Sequence, residues 1–267
     1  MHSSLGCRTA NWKRQSLRFA ICLAAFVCAR IAIAEDAPAQ TNLWDGNVSA
    51  GLTLTEGNSR TLLGVLGILG ERKSKEFELR LGGDASYGEN EGVTSAQNAH
   101  GFAQYNYLFT ERLYGALRGD AYYDRVANVN YRFILGPAIG YYFIKSERTR
   151  FNGEFGPSFI YERTKEEISS APDKRREDTH GYVALRFTER FEHQLSKTAK
   201  VWEQVDYFPQ VDDYLGNFLL NAEVGAEAVM TTRLALRAVL TNKYDNRPPR
   251  GRNHHDLSLV TSLVYKF

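Results

Sequence analysis

Residues 44–55 read WDGNVSAGLTLT. Trp44, Gly46, Val48, Ala50, Leu52 and Leu54 are apolar or small, while Asp45, Asn47, Ser49, Thr53 and Thr55 are polar. Successive side chains of a β-strand point to opposite faces, so this segment has one apolar face and one wet face. The pattern recurs along the chain. Ten or so alternating residues are followed by a few turn residues, about twelve times in all, up to the terminal Phe267. The predicted fold is all-β, a transmembrane antiparallel up-and-down barrel of about 12 strands over residues 44–267.

Strand cores are expected to start near Trp44, Thr61, Phe77, Gln97, Leu113, Tyr131, Phe151, Gly181, Lys200, Asn217, Leu234 and Asp256. Tight turns are expected at 72–75, 110–112, 145–148, 196–198 and 231–233, with longer connections between, notably 164–178 and 246–255. Short turns on the periplasmic side and long loops outside are the usual asymmetry of such barrels. That orientation puts Ser146 and Thr232 in the periplasm and the loops near Ser170 and Arg250 on the cell surface. In the third strand Phe77, Leu79, Leu81, Ala85 and Tyr87 should face out, and Glu78, Arg80, Asp84 and Ser86 in. In the tenth, Phe218, Leu220, Ala222, Val224, Ala226 and Ala228 should face out, and Asn217, Asn221, Glu223 and Glu227 in. The second strand (62–69) and the ninth (201–209) do not resolve into two faces. Gly136-Pro137 and Gly156-Pro157 suggest local bulges or bends in neighbouring strands, because proline donates no ladder hydrogen bond.

A soluble sandwich or lipocalin would show the same period with the faces inverted. Twelve units exceed the eight strands of a lipocalin. The apolar face is rich in small residues (Ala85, Ala99, Gly101, Ala103, Gly115, Gly119, Ala121), which would fill a wide core badly. Aromatic residues also cluster near both strand ends: Trp44, Tyr107, Phe109, Phe143, Phe151 and Phe267 at one, Tyr87, Tyr123, Tyr131, Tyr161 and Tyr244 at the other. Amphipathic rings favour the two membrane interfaces.

Residues 1–34 have the form of a secretory signal peptide. Arg8, Lys13, Arg14 and Arg18 precede an apolar stretch, 19–29, too short to span a bilayer, and Ala32-Ile33-Ala34 offers cleavage between Ala34 and Glu35. Cys28 could mark a lipoprotein signal, but Val27 stands where a small residue is expected. Residues 35–43 read as a periplasmic lead-in. All three cysteines, Cys7, Cys22 and Cys28, fall in the leader, so the exported chain would carry no disulfide. The leader holds five of the 33 Lys and Arg and none of the 31 Asp and Glu, leaving the rest at a formal −3. That balance implies no nucleic-acid partner.

Three stretches, 44–59 (WDGNVSAGLTLTEGNS), 135–161 (LGPAIGYYFIKSERTRFNGEFGPSFIY) and 215–267 with Pro248-Pro249, resemble the YdiY-like family of salt-induced outer-membrane proteins, also called domain of unknown function 481. Tyr207-Phe208-Pro209 fits as well. The resemblance implies the outer membrane of a Gram-negative bacterium. Its motifs are structural, so it transfers no catalytic residue.

The residues with functional content are the charges of the inner face. Arg80, Arg118, Arg132, Arg186, Arg237 and Lys243 interleave with Asp84, Asp120, Asp124, Glu154, Glu162, Glu223 and Glu227. Charges facing a narrow lumen need partners, because desolvating them is costly. If 231–233 forms a hairpin loop, Met230 opposes Leu234 and Glu227 opposes Arg237, both pointing inward. His100 shares the wet face with Asn98 and Gln104, where it reads as a member of a polar network rather than a catalytic base. The basic loop Arg247, Arg250, Arg252, His254 and His255 reads as solvated, with contact to lipopolysaccharide phosphates as the sharper alternative. Acids from Glu166 to Asp178 alternate with Lys165, Lys174, Arg175 and Arg176 and read as self-compensating, with no calcium-loop spacing. The last strand, ending in Tyr265 and Phe267, resembles the signal read by the barrel-assembly machinery. The expectation is a monomer in contact with outer-membrane lipids, with no cofactor, metal or enzyme activity. It is either a narrow channel or permeability-related protein with a charged lumen, or a blocked barrel acting through its loops. A barrel enzyme is the least favoured reading.

Overall fold

A computed structural model describes residues 44–55, 61–168, 171–249 and 252–267. The cleavage pair Ala34 and Glu35, and the loop positions Ser170 and Arg250, lie outside these residues. Twelve strands follow in order: β1 (Asp45–Thr55), β2 (Thr61–Lys73), β3 (Phe77–Asn90), β4 (Val93–Leu108), β5 (Leu113–Asp124), β6 (Val129–Lys145), β7 (Thr149–Ile168), β8 (Ala171–Gln194), β9 (Ala199–Pro209), β10 (Phe218–Val229), β11 (Leu234–Asp245) and β12 (His255–Lys266). Each pairs antiparallel with its sequence neighbours, and β1 pairs with β12 from Asn47↔Lys266 to Ala50↔Leu263, so the sheet closes into a barrel without edges. Phe267 adds one more rung, exchanging backbone hydrogen bonds with Gly46 at 3.0 and 3.1 Å.

At the end of the barrel where β1 begins and β12 finishes, the terminal end, the turns share one device. Ser74, Thr110, Ser146, Ser196 and Thr231 each accept a backbone N–H two or three residues on. A hydroxyl used this way closes a tight turn with ordinary backbone angles. At the opposite, distal end β3 and β4 meet through only Glu91-Gly92, with φ of 51° and 79°, the left-handed pair that a two-residue hairpin demands.

Three expectations need correction. Residues 164–168 and 171–178 are strand rather than a long loop: β7 continues to Ile168 and β8 starts at Ala171, ten residues before Gly181. The register sets Lys165 opposite Glu177, Glu166 opposite Arg176 and Glu167 opposite Arg175. The polar composition of this stretch reads as loop, while the backbone register continues through it. β4 starts at Val93, not near Gln97, because the Glu91-Gly92 turn is so short. The Gly-Pro pairs are not bulges, since the β6–β7 register is the same on both sides of them (Leu135↔Phe159, Ile139↔Phe155). Instead the backbones draw close: a Cβ on Gly136 or Gly156 would collide with the carbonyl of Pro157 or Pro137. The register shifts of this pair lie at Val129/Tyr131 and Tyr142/Ile144.

The exterior is apolar, with Leu52, Ile68, Leu117, Leu135, Ile139, Phe155, Val224 and Leu259 among its exposed side chains. Aromatic contacts run around both rims. Phe143, Phe151 and Phe191 touch in series near the terminal end, and Tyr207, Phe218 and Tyr244 near the distal end. The interior holds two apolar clusters. Tyr114, Ala116, Ala138 and Tyr142 pack near the terminal end. Ile134, Ile160, Ala184, Phe208 and Leu219 pack further toward the distal end.

Candidate functional site: the barrel interior

Register fixes which side chains enter the barrel. Glu227 sits opposite Arg237, Arg80 opposite Gln104, Asp84 opposite His100, Arg132 opposite Glu162, and Asn221 opposite Lys243. Arg118, Asp120 and Asp124 alternate on β5, and Glu154 and Arg186 on β7 and β8 are buried against each other. Glu223 accepts from the Trp202 indole N–H at 2.6 Å.

Around the β5–β9 half these groups form a dense network. Arg186 Nη2 donates to Glu154 Oε2 at 2.9 Å, with side chains only 2% and 3% exposed. The other carboxylate oxygen of Glu154 accepts from Gln104 Nε2 at 2.8 Å and Tyr114 Oη at 3.0 Å. Arg118 holds both oxygens of Asp120, at 2.8 and 2.9 Å, and its guanidinium also lies over the Phe102 ring. A buried ion pair recovers its desolvation cost only when the remaining polar groups are also satisfied; both Glu154 oxygens are, whereas Arg186 Nε is buried without an acceptor. Some of these bonds join strands that are not neighbours: Tyr142 Oη on β6 donates to Glu78 on β3, and Arg132 on β6 reaches Asp245 on β11 at 2.8 Å as well as Glu162 at 2.6 Å. They cross the interior rather than line it.

The β1–β4 side is wetter. His100 lies with Nδ1 3.3 Å from Asp84 and Nε2 3.0 Å from Asp120, and stacks on Tyr122 at 4.2 Å between centroids. Both ring nitrogens are therefore engaged by carboxylates. Asp84, halfway along β3 and pointing inward, keeps 51% of its side chain exposed. Near the terminal end Arg80 bonds Glu71 at 2.8 Å, and Lys266 approaches Glu227 at 2.6 Å.

Several interior groups were not legible in the sequence: Glu71, Arg190, Asp206, Phe102, Trp202 and Phe208. Counting residues outward from the tight turns would have found them, because parity fixes the face. Inward glycines give a second signal. Tyr114 lies across Gly140 and Trp202 across Gly225, where a Cβ would collide with either ring.

The remaining candidates sit apart. Arg247 pairs with Asp213 at 2.6 Å, Arg252 donates to Asn128 at 2.9 Å, and His255 packs edge-on to Tyr244. Tyr265 receives a long hydrogen bond from Arg233 at 3.5 Å, and the Phe267 ring covers Gly46. Among the described residues no group of three or more His, Cys, Asp or Glu could hold a metal ion.

A family model described as a protein of unknown function, DUF481, matches residues 48–267. No curated protein matches the sequence. Among solved structures the chain is similar to the NanC porin at 8% identity and a TM-score of 0.49, over 83% of this chain and 98% of that one. An outer-membrane channel from Pseudomonas putida F1 is similar at 12% identity and a TM-score of 0.47, over 88% and 98%. The translocator domain of the autotransporter NalP from Neisseria meningitidis is similar at 12% identity and a TM-score of 0.46, over 96% and 98%.

Proposed function

The chain belongs to the DUF481 family of proteins of unknown function, and from that premise we propose that it is a narrow, water-filled channel in the outer membrane of a Gram-negative bacterium, exported through the periplasm and without enzyme activity. One observation carries the reading. Asp84 and the Arg186–Glu154 pair all point into the barrel at strand mid-length, yet Asp84 is half exposed while the pair is almost fully buried. Water thus reaches mid-depth beside Asp84, while Glu154 borders only a small polar cavity of about 50 Å³ shared with Arg80, Arg190 and Gln204. The passage runs along β1–β4, beside Asp84 and His100, and the β5–β9 half is a rigid filler. Twelve strands suit this size, between filled eight-stranded barrels and open sixteen-stranded porins.

Purified protein in a planar bilayer tests the reading. Discrete conductance steps are expected, and Asp84→Arg should move ion preference toward anions. Repeated absence of steps from protein shown to be folded by heat-modifiability would overturn it. A second reading, a blocked barrel working through its distal loops, is favoured by the bonds that cross the interior, Tyr142–Glu78 and Arg132–Asp245. It would then stand ahead.

A further inference from the structure

At the distal mouth, between β5–β6 and β10–β12, lies a cavity of about 190 Å³. Its floor is apolar: Ile134 and Leu219 line it from below and belong to the buried cluster with Ile160 and Phe208. Its roof comes from the β11–β12 connection, where Pro248 and Pro249 line it and Arg252 ties the connection to the β5–β6 turn through Asn128. The walls carry charge, and not all of it is used.

Arg132 is satisfied by Glu162 and Asp245. Lys243 is not: its ammonium lies 5.8 Å from the centre of the Tyr122 ring, and no described residue offers it an ion pair. Asp256, opposite Lys243 in the β11–β12 register, feels Lys243 and Arg252 through space but makes no contact-range hydrogen bond or ion pair to a described residue. Arg252 Nε is buried without an acceptor. Asp124 spends one oxygen on the Ala127 N–H at 2.9 Å. The cavity therefore offers a cation and a carboxylate that face each other without contact, an unused guanidinium N–H and a greasy floor. Unused polar groups beside an apolar surface are what a ligand pocket presents.

We propose that this cavity binds a small amphipathic zwitterion, a free α-amino acid with an aliphatic or aromatic side chain. Its carboxylate would sit between Lys243 and Arg252, its ammonium against Asp256 and Asp124, and its side chain on Ile134 and Leu219. Charge and size exclude the alternatives. A phosphate would face Asp124 and Asp256, and a metal cation would face Lys243 and Arg252. A neutral sugar would leave both charge sets unpaired over a floor it cannot wet. At about 190 Å³ the space suits a single leucine or phenylalanine side chain. The site is independent of conduction, since a blocked barrel would hold the same ligand.

Isothermal titration of the purified, folded barrel with defined probes tests this. L-leucine and L-phenylalanine should bind. Glycine, leucinamide and 4-methylpentanoate, lacking the side chain, the carboxylate and the ammonium in turn, should each bind about tenfold more weakly. Lys243→Met should reduce the difference between leucine and leucinamide, with Arg252 retaining part of it, and Asp256→Asn should reduce that between leucine and 4-methylpentanoate, with Asp124 retaining part of it. Binding of glycine as tight as that of leucine, or no saturable binding of either amino acid, overturns the proposal, as does unchanged discrimination in both variants. If a variant fails the heat-modifiability check for folding, the probe series on the unaltered protein decides.

Discussion

Arg237 on β11 donates to one oxygen of Glu227 on β10 from both Nε and Nη2, at 2.9 and 2.7 Å. The other oxygen faces Lys266 Nζ at 2.6 Å, and Arg237 continues to Asn47 on β1 at 3.2 Å. One carboxylate thus ties β10, β11 and β12 together beside the seam where the barrel closes. Its side chain is 1% exposed, so its loss would leave the part-buried Arg237 and the more exposed Lys266 without their shared counter-charge. Glu227→Gln should lower unfolding stability by about 3 kcal/mol. Adding Arg237→Met should recover part of that loss, because it removes one of the orphaned cations. Urea titration of the refolded barrel measures both. Strictly additive losses in the double variant would show that the two side chains are not coupled.

The terminal-end turns, each closed by a Ser or Thr hydroxyl, set up a prediction about orientation. If this end faces the periplasm, Ser146→Cys should resist a membrane-impermeant thiol reagent on intact cells. Asp212→Cys, in the exposed distal connection between β9 and β10, should be labelled. Ser146 and the Ser196 turn lie at the same end, so Lys197→Cys should behave as Ser146→Cys does. Labelling of Ser146→Cys and not of Asp212→Cys would invert the barrel.

Phe267 lies one residue past β12, yet its backbone pairs with Gly46 and its ring covers that glycine. Removing it deletes the last rung of the β1–β12 seam, the shortest of the strand pairings as far as its register extends. Deletion should slow folding and increase degradation before the barrel closes. Pulse-chase measurement of the heat-modifiable form checks this, and equal yields with and without Phe267 would refute an assembly role.

Alternation made β3 and β10 legible because each has one face toward lipid and one toward charge. β2 resisted because both its faces are apolar: Leu66 and Ile68 are exposed outside, while Leu63, Val65 and Leu69 point inward by register. β9 resisted for the opposite reason. Trp202 and Phe208 turn in, packed against glycine and the inner cluster, while Glu203 turns out. The extended β7–β8 hairpin was hidden because a strand beyond the apolar band loses its apolar face while keeping its ladder. In the interior, parity assigns the charges, but it pairs them only with adjacent strands. Arg132 to Asp245 and Gln104 to Glu154 join distant strands through the barrel's curvature, which no local pattern encodes.

That division of the interior into a packed half and a wet half makes a paired prediction. Glu154 accepts from Arg186, Gln104 and Tyr114 with its side chain almost fully buried. Glu154→Gln would strand the Arg186 guanidinium there and should cost about 3 kcal/mol, with ion preference unchanged in whatever protein folds. Asp84 is half exposed, and its contact is with His100 alone among the described ion pairs. Asp84→Asn should therefore cost under about 1 kcal/mol, since exposed partners contribute little, and should lower cation preference. Denaturant titration and reversal potentials under a salt gradient give the two readouts on the same preparations. If Glu154→Gln changes ion preference while Asp84→Asn leaves it unaltered, the water path lies on the β5–β9 side and the assignment of the two halves is wrong.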